Sequence, residues 1–419
     1  MAAPAAADRA LAVGWGSPAL RRATLALAVT QLVSWGVLFY GFAVVAPEVT
    51  GDTGWSETVL SGAFSLGLLV AGLAAPTVAR SLAARDPRAV LTGGSLLGIA
   101  GMLAFAGAHH VVVLYAAWAV IGLAMAATLY EPAMAVLVAL DPARRHRTLA
   151  IVTVAGGLAS TVFAPLGGVL VDHLGWRQAL VVLAVGGGTL TTAVHAFVLP
   201  AARTVAVRPE PAPRDVLRSA AVRRLQVALL FEQAAIIATT AHFIGLLVDR
   251  GTTLALAGAA LGVMGLGKVA GRLLLLGPVL QRRPLAVLAA GCNLVQAVGL
   301  AVPLLTVGEA ALFASAAIVG AASGATTVLR PLLVVDIVGA RTYAAVSAHL
   351  QRATTLARAG APLAVGAGAA LIGWPGSWVV ALVAFAVAAE QYLRLDRHGA
   401  VTPSVAEGRN LRPADVSDV

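Results

Sequence analysis

The chain predicts an all-α membrane protein of twelve transmembrane helices in two pseudo-symmetric six-helix bundles, and three observations lead there. Of 419 residues, 59% are hydrophobic and only 11% charged, whereas roughly a quarter are charged in ordinary soluble domains. Twelve apolar runs are each long enough to cross a bilayer. A segment rich in Pro and Arg then parts those runs six from six.

A helix crossing a hydrocarbon core of about 30 Å needs about 20 mainly apolar residues. Such runs fall at 24–47, 57–79, 89–108, 111–138, 149–171, 178–199, 223–248, 255–277, 285–305, 310–338, 346–372 and 377–395. The period-two alternation of barrel strands is absent. The 44 glycines suit helix contacts in lipid, where small residues let backbones approach.

A net charge of +10 could mark a nucleic-acid binder. The arginines instead sit in short clusters between apolar runs, which is a topology signal. With the N-terminus inside, the cytoplasmic segments hold Arg21 and Arg22, then Arg85 and Arg88, then Arg144, Arg145 and Arg147. The central linker adds Arg203, Arg208, Arg214 and Arg218, and the next inner loop has Arg282 and Arg283. External loops hold only Arg177 and Arg250. Both termini are therefore expected in the cytoplasm, and the protein in the cell (inner or plasma) membrane as a multi-pass chain.

The expected divisions are a cytoplasmic N-terminal tail at 1–23, a first bundle at 24–199 and a cytoplasmic linker at 200–222. A second bundle at 223–397 and a cytoplasmic C-terminal tail at 398–419 follow. Met1 to Ser17 is Ala-rich and lacks a basic region followed by an apolar one, so it reads as a tail and not a cleaved signal. Cys292 is the one cysteine, which leaves no intramolecular disulfide or Cys-based metal site. His109-His110 has no spaced carboxylate or cysteine partner, so no metal site is expected there.

The two halves resemble each other. Arg85-Asp-Pro-Arg-Ala-Val-Leu-Thr-Gly-Gly-Ser95 lines up with Arg282-Arg-Pro-Leu-Ala-Val-Leu-Ala-Ala-Gly-Cys292. The same offset sets Ala143-Arg144 on Ala340-Arg341, and Ala164-Pro165-Leu166 on Ala361-Pro362-Leu363. Matches at one offset, each at an equivalent point of the topology, argue for duplication.

Six plus six helices around a cytoplasmic linker is the layout of the major facilitator superfamily, which the chain resembles over nearly its whole length. Gly175-Trp176-Arg177 looks like the motif outside the fifth span of that superfamily, and Gly156, Pro165, Gly167 and Gly168 resemble its fifth-span Gly/Pro motif. The loop after span two keeps Arg80, Arg85 and Arg88, but has Ala79 and Ala83 where the superfamily usually has Gly and Asp. Within it, Gln31-Leu-Val-Ser-Trp-Gly-Val-Leu-Phe-Tyr40 followed by Gly54-Trp55-Ser56 resembles the monocarboxylate porter and oxalate/formate antiporter branch. Arg272 falls where that branch commonly carries an Arg. The first-span Lys and eighth-span Asp of its animal members are not evident here. The resemblance implies transport by alternating access, with one bundle rocking against the other.

An ionisable group at mid-membrane costs about 2.5–3.5 kcal/mol on insertion scales, so its presence asks for a role. Lys268 and Arg358 fall near the middle of spans eight and eleven; Arg272, Arg330 and Arg352 lie in the cytoplasmic third. Lys268 and Arg272, four residues apart, share one helix face. Two roles are open: they bind an anionic substrate, or they pair with Glu232 and Glu131. Arg272 can also snorkel to the interface. Glu131 precedes Pro132 and Arg330 precedes Pro331 at near-equivalent places, where a kink suits a moving gate. Glu131 and Glu232, expected buried, are candidates for proton coupling, with a structural ion pair as the alternative for Glu131. Gln31, Trp35, Tyr40, Gln233 and His242 could complete a site, and Asn293 and Gln296 bond across helices. Gly262-Val-Met-Gly-Leu-Gly267-Lys268-Val269 imitates a phosphate loop but lacks the following Ser/Thr and lies within an apolar span.

The expected function is secondary transport of a small organic anion, monocarboxylate-like, coupled to protons. Substrate would meet Lys268, Arg272, Arg358, Gln31 and Tyr40, while Glu131, Glu232 and Arg330 would couple protons or gate. Proton-driven efflux of a drug or metabolite is the alternative, and a non-transporting receptor the next. No enzyme, cofactor or nucleic-acid partner is expected; the partners are a small molecule, protons and lipid, and the chain is expected to be a monomer.

Overall fold

The computed structural model describes residues 17–140, 145–200, 213–275, 284–306 and 308–396. Arg144, Arg203, Arg208, Arg282, Arg283 and most of both tails lie outside them, as do the side chains of Arg145 and Arg341.

Ten apolar helices are α1 Pro18–Thr53, α2 Glu57–Ala84, α3 Pro87–Ala106, α4 Val111–Leu140, α5 Arg147–Leu174, α6 Trp176–Val198, α7 Ala220–Asp249, α8 Leu254–Leu275, α9 Leu285–Leu305 and α10 Glu309–Gly339. A further apolar stretch, Ala345–Leu395, runs for 51 residues. At about 1.5 Å per residue, a straight helix of that length would be more than twice the thickness of the hydrocarbon core. Gly373 divides it, with φ 74° and ψ 166°. The left-handed φ suits glycine, which has no Cβ to clash. The pieces are α11 (345–372) and α12 (374–395), which completes twelve spans among the described residues.

Gly175 does the same between α5 and α6, with φ 78° and ψ 160°. Each of these glycines precedes a buried tryptophan, Trp176 or Trp374. The same backbone break at the same point of each half supports an internal duplication. In the first half the motif is tied down. The Trp176 indole donates to Asp52 at 3.0 Å, and Arg177 donates to the Ala106 and Ala108 carbonyls at 2.7 and 2.9 Å.

Two boundaries differ from the sequence reading. The first helix starts at Pro18, inside the stretch read as a tail, because Ser17 accepts from the Leu20 amide at 3.2 Å and Pro18 takes the first turn. The linker is expected to run to Val222, whereas Arg214–Arg218 is a helical turn without a buried residue and α7 begins at Ala220. There Ser219 accepts from the Val222 amide at 3.3 Å, which caps α7, and Val222 is fully buried.

Outward faces are apolar: Phe197, Leu305 and Leu371 are 82%, 83% and 83% exposed. Such a surface belongs in lipid. Several helix pairs join the halves among the described residues. On α2 and α11, the Leu363 amide donates to the Ser65 hydroxyl at 3.0 Å. Between α5 and α8, Thr161 donates to the Gly262 carbonyl at 3.0 Å, while Gly258 lies so close to α5 that a Cβ would sit 2.8 Å from the Ala164 carbonyl oxygen. The C-terminal part of α1 meets α7, where the Phe42 and His242 rings lie 6.3 Å apart.

The apolar core is shared unequally along the membrane normal. Away from the chain termini, one cluster spans both halves and includes Phe42, Phe64, Trp118, Phe243, Leu261 and Trp378. At the end bearing the termini it divides. Leu20, Leu91 and Leu137 anchor a cluster of the first half alone, and Leu225, Leu329 and Tyr392 one of the second half alone. The halves are thus welded at one end and separately packed at the other.

Candidate functional site

Glu232 on α7 is fully buried inside the second half. Its Oε2 accepts from Asn293 Nδ2 on α9 at 3.1 Å and from the Tyr392 hydroxyl on α12 at 2.9 Å. Arg330 on α10 approaches Oε1 at 3.8 Å. A carboxylate and a guanidinium therefore compensate each other, and two neutral donors serve the other carboxylate oxygen. The alternative in which Glu232 pairs with Lys268 or Arg272 is corrected here: α10, not α8, supplies its cation.

The first half has a polar counterpart without an internal ion pair. Pro132 has no N–H to offer the Thr128 carbonyl one turn back. Leu129, at φ −77° and ψ −157°, interrupts α4 there. Gln31 Nε2 donates to that carbonyl at 2.6 Å. Gln31, expected to bind substrate, is fully buried and spent on this internal bond. His195 on α6 and Ser95 on α3 meet at 2.9 Å beside it, bordering a pocket lined by Ser34, Ser95, Thr128 and Thr191.

The cations on α8 sit at the junction of the halves. Lys268 donates to the Tyr40 hydroxyl on α1 at 3.2 Å and lies 5.6 Å from the centre of its ring. A five-residue π-turn, Gly36–Tyr40, brings that tyrosine round. Arg272 donates through Nη1 to the Thr153 carbonyl on α5 at 2.7 Å and through Nε to the Thr327 hydroxyl at 3.2 Å. On α11, Arg358 is half-buried and its Nε is enclosed without a hydrogen-bond partner. Its ionic neighbours are Glu131, of opposite sign, and Arg330, of like sign.

Glu131 departs from expectation. It is exposed, just past the break at Leu129, and makes no ion pair among the described residues. Arg80 and Arg85 are exposed, and Arg80 turns back to Thr77 at 3.0 Å. Arg88 is half-buried beside Asp86, which caps α3 by accepting the Arg88 amide at 2.9 Å. Among the described residues no group of His, Cys, Asp and Glu could hold a metal.

Tyr130, Thr153 and the pair Ser95–His195 were missed in the sequence. For the last pair the signal was the repeat itself, since at its offset His195 falls on Tyr392 and Ser95 on Cys292, the neighbour of Asn293. His242 was noted without a partner; its Nε2 lies 3.0 Å from the Pro362 carbonyl and 3.5 Å from the Ser61 hydroxyl.

A family model described as Major Facilitator Superfamily matches residues 25–348. Monocarboxylate transporter 13 of Bos taurus is 30% identical over 173 residues, 41% of this chain and 39% of that protein. The match thus spans about two fifths of that relative's length. Among solved structures, a bacterial homologue of the human lysosomal transporter Spinster, inward-facing and unoccupied, aligns with TM-score 0.71 at 15% identity over 91% of this chain and 98% of its own. A mutant of the nucleoside transporter NupG aligns with TM-score 0.74 at 12% identity over 90% and 99%. At these identities the two structures speak for the fold alone.

Proposed function

This chain belongs to the Major Facilitator Superfamily, and on that premise we propose that it is a secondary transporter of a small, monocarboxylate-like organic anion coupled to protons. That it is a membrane transporter and not an enzyme follows from the family; the anion and the coupling ion are our reading. One observation carries it. Lys268, Arg272 and Arg358 lie within spans at or near the junction of the halves, and none forms an ion pair among the described residues. Cations inside a membrane protein are costly without a counter-charge, and a carboxylate substrate would supply one. The partial match to a monocarboxylate transporter points the same way.

In this reading Lys268, Arg272 and Arg358 bind the anion and Tyr40 orients Lys268. Glu131, the exposed carboxylate nearest Arg358 in effect, carries the proton. Glu232 and Arg330 brace the second half instead of coupling. The protein is read as a monomer in the cell membrane, and its termini as cytoplasmic, the last of which the arginine distribution supports. The separately packed end of the bundles then opens to the cytoplasm.

Uptake of lactate or pyruvate into proteoliposomes under an inward proton gradient tests this. Arg358→Gln and Lys268→Gln are each expected to lower uptake about tenfold or more, as loss of a charge-assisted contact implies. Glu131→Gln is expected to keep carboxylate binding but lose the response to pH. Binding unchanged in both cation variants would remove those residues from the site. Resistance of a sensitised host to toxic compounds, with no carboxylate flux, would favour the efflux alternative, for which Glu131 would serve equally as coupling group.

A further inference from the structure

The cross-half hydrogen bonds of the described residues fall in order along the membrane normal. Farthest from the termini are Ser61 with His242 and Ser65 with Leu363; Thr161 with Gly262 and Tyr40 with Lys268 follow. The last, nearest the termini, is Arg272 with the Thr153 carbonyl. It lies at the level where the shared core has already split in two.

This contact is built. The Tyr130 hydroxyl on α4 donates to the same carbonyl at 3.3 Å. Two adjacent glycines on α5 make the room. A Cβ on Gly156 would collide with the Tyr130 hydroxyl, and one on Gly157 would stand 2.8 Å from Arg272 Nη1. Helix interiors do not favour glycine, so a pair whose faces are each filled by a polar group from another helix has a packing reason. Thr327 takes the guanidinium Nε and aims the fork toward α5.

We propose that Arg272, seated in the Gly157 notch on the Thr153 carbonyl, is a latch joining α5 to α8, which a substrate carboxylate opens by taking over the guanidinium. This rests on the anion-binding function proposed above and adds its link to motion. A neutral carbonyl is a weaker acceptor for a guanidinium than a carboxylate, which can accept two parallel bonds. Bound anion therefore wins Arg272, and the inner ends of α5 and α8 lose the bond that holds them together. The differential affinity needed to shift a conformational equilibrium then comes from that exchange of acceptors. Thr153 contributes backbone only; Gly157 and Tyr130 are positioning residues.

The test uses the full chain with Cys292→Ser, which removes its one thiol, and spin labels at Ala150→Cys on α5 and Leu274→Cys on α8. Both positions are exposed. Gly157→Ala and the bulkier Gly157→Val should lengthen the label distance in graded order without any ligand. Gly157→Ala should also bind lactate about threefold to tenfold more tightly, because no internal acceptor competes. In the unsubstituted latch, lactate should lengthen the distance and chloride should not. Label distances in both Gly157 variants equal to the parent's, in protein that binds lactate, overturn the latch alone. A parent protein that binds no lactate, pyruvate or oxalate removes the anion site and the release step with it. Gly157→Ala, the smaller change, keeps the test open if Gly157→Val fails to fold.

Discussion

The two halves place polar groups on the same four helices and connect them differently. In the second, α7, α9, α10 and α12 send Glu232, Asn293, Arg330 and Tyr392 to one carboxylate. In the first, α1, α3, α4 and α6 supply Gln31, Ser95, the Thr128 carbonyl and His195, which form two separate neutral pairs. Both sets leave buried polar atoms without hydrogen-bond partners, Gln31 Oε1 and His195 Nε2 in the first and Glu232 Oε1, Asn293 Oδ1 and Arg330 Nε in the second, and a pocket opens beside the first. What separates them is charge: an uncompensated buried ion costs far more than an unpaired amide, and Arg330 stands 3.8 Å from Glu232 Oε1. Duplication thus preserved where the helices meet, while substitution decided that one of these clusters is pinned by an ion pair and the other held by hydrogen bonds.

The strongest way to break this contrast is Arg330→Met, which leaves Glu232 charged and fully buried. A loss of about 3–5 kcal/mol is expected, read as a large fall in unfolding temperature in detergent. Pairing it with Glu232→Gln should restore much of that loss; a double variant as unstable as the sum of its parts would show that the two groups do not act on each other. In the first half, Gln31→Ala strands the Thr128 carbonyl that Pro132 cannot use. That should cost about 1–3 kcal/mol, less than the ionic change. Smallest is Ser95→Ala, which removes one neutral partner of His195 and should cost about 0.5–1.5 kcal/mol. If the two first-half variants prove as damaging as Arg330→Met, the distinction between an ionic and a neutral brace fails.

The same contrast explains which residues faced inward and which toward the junction. Lys268 and Arg272 share a face of α8, as their spacing implied, and that face meets α1 and α5 of the other half. Gln31, one turn before the π-turn of α1, is swallowed by its own bundle, whereas Tyr40 at the end of that turn reaches the junction. A π-turn adds a residue to the helical count and so rotates everything after it. No regular period in the sequence announces that rotation.

By itself the sequence determined the number of spans, their division into halves, the duplication and the family. These rest on quantities that accumulate along one dimension: about 20 apolar residues to cross a bilayer, arginines at span ends, and motifs recurring at one offset. Tertiary structure alone decided the partners. Glu232 meets Arg330 and not Lys268, Glu131 is exposed and not buried, and Arg272 lies against a backbone carbonyl. A helix that is apolar on every side carries no stripe to say which way it turns in the bundle. Its rotation is set by small-residue contacts such as Gly258 on Ala164, and those exist only once the neighbouring helix is in place.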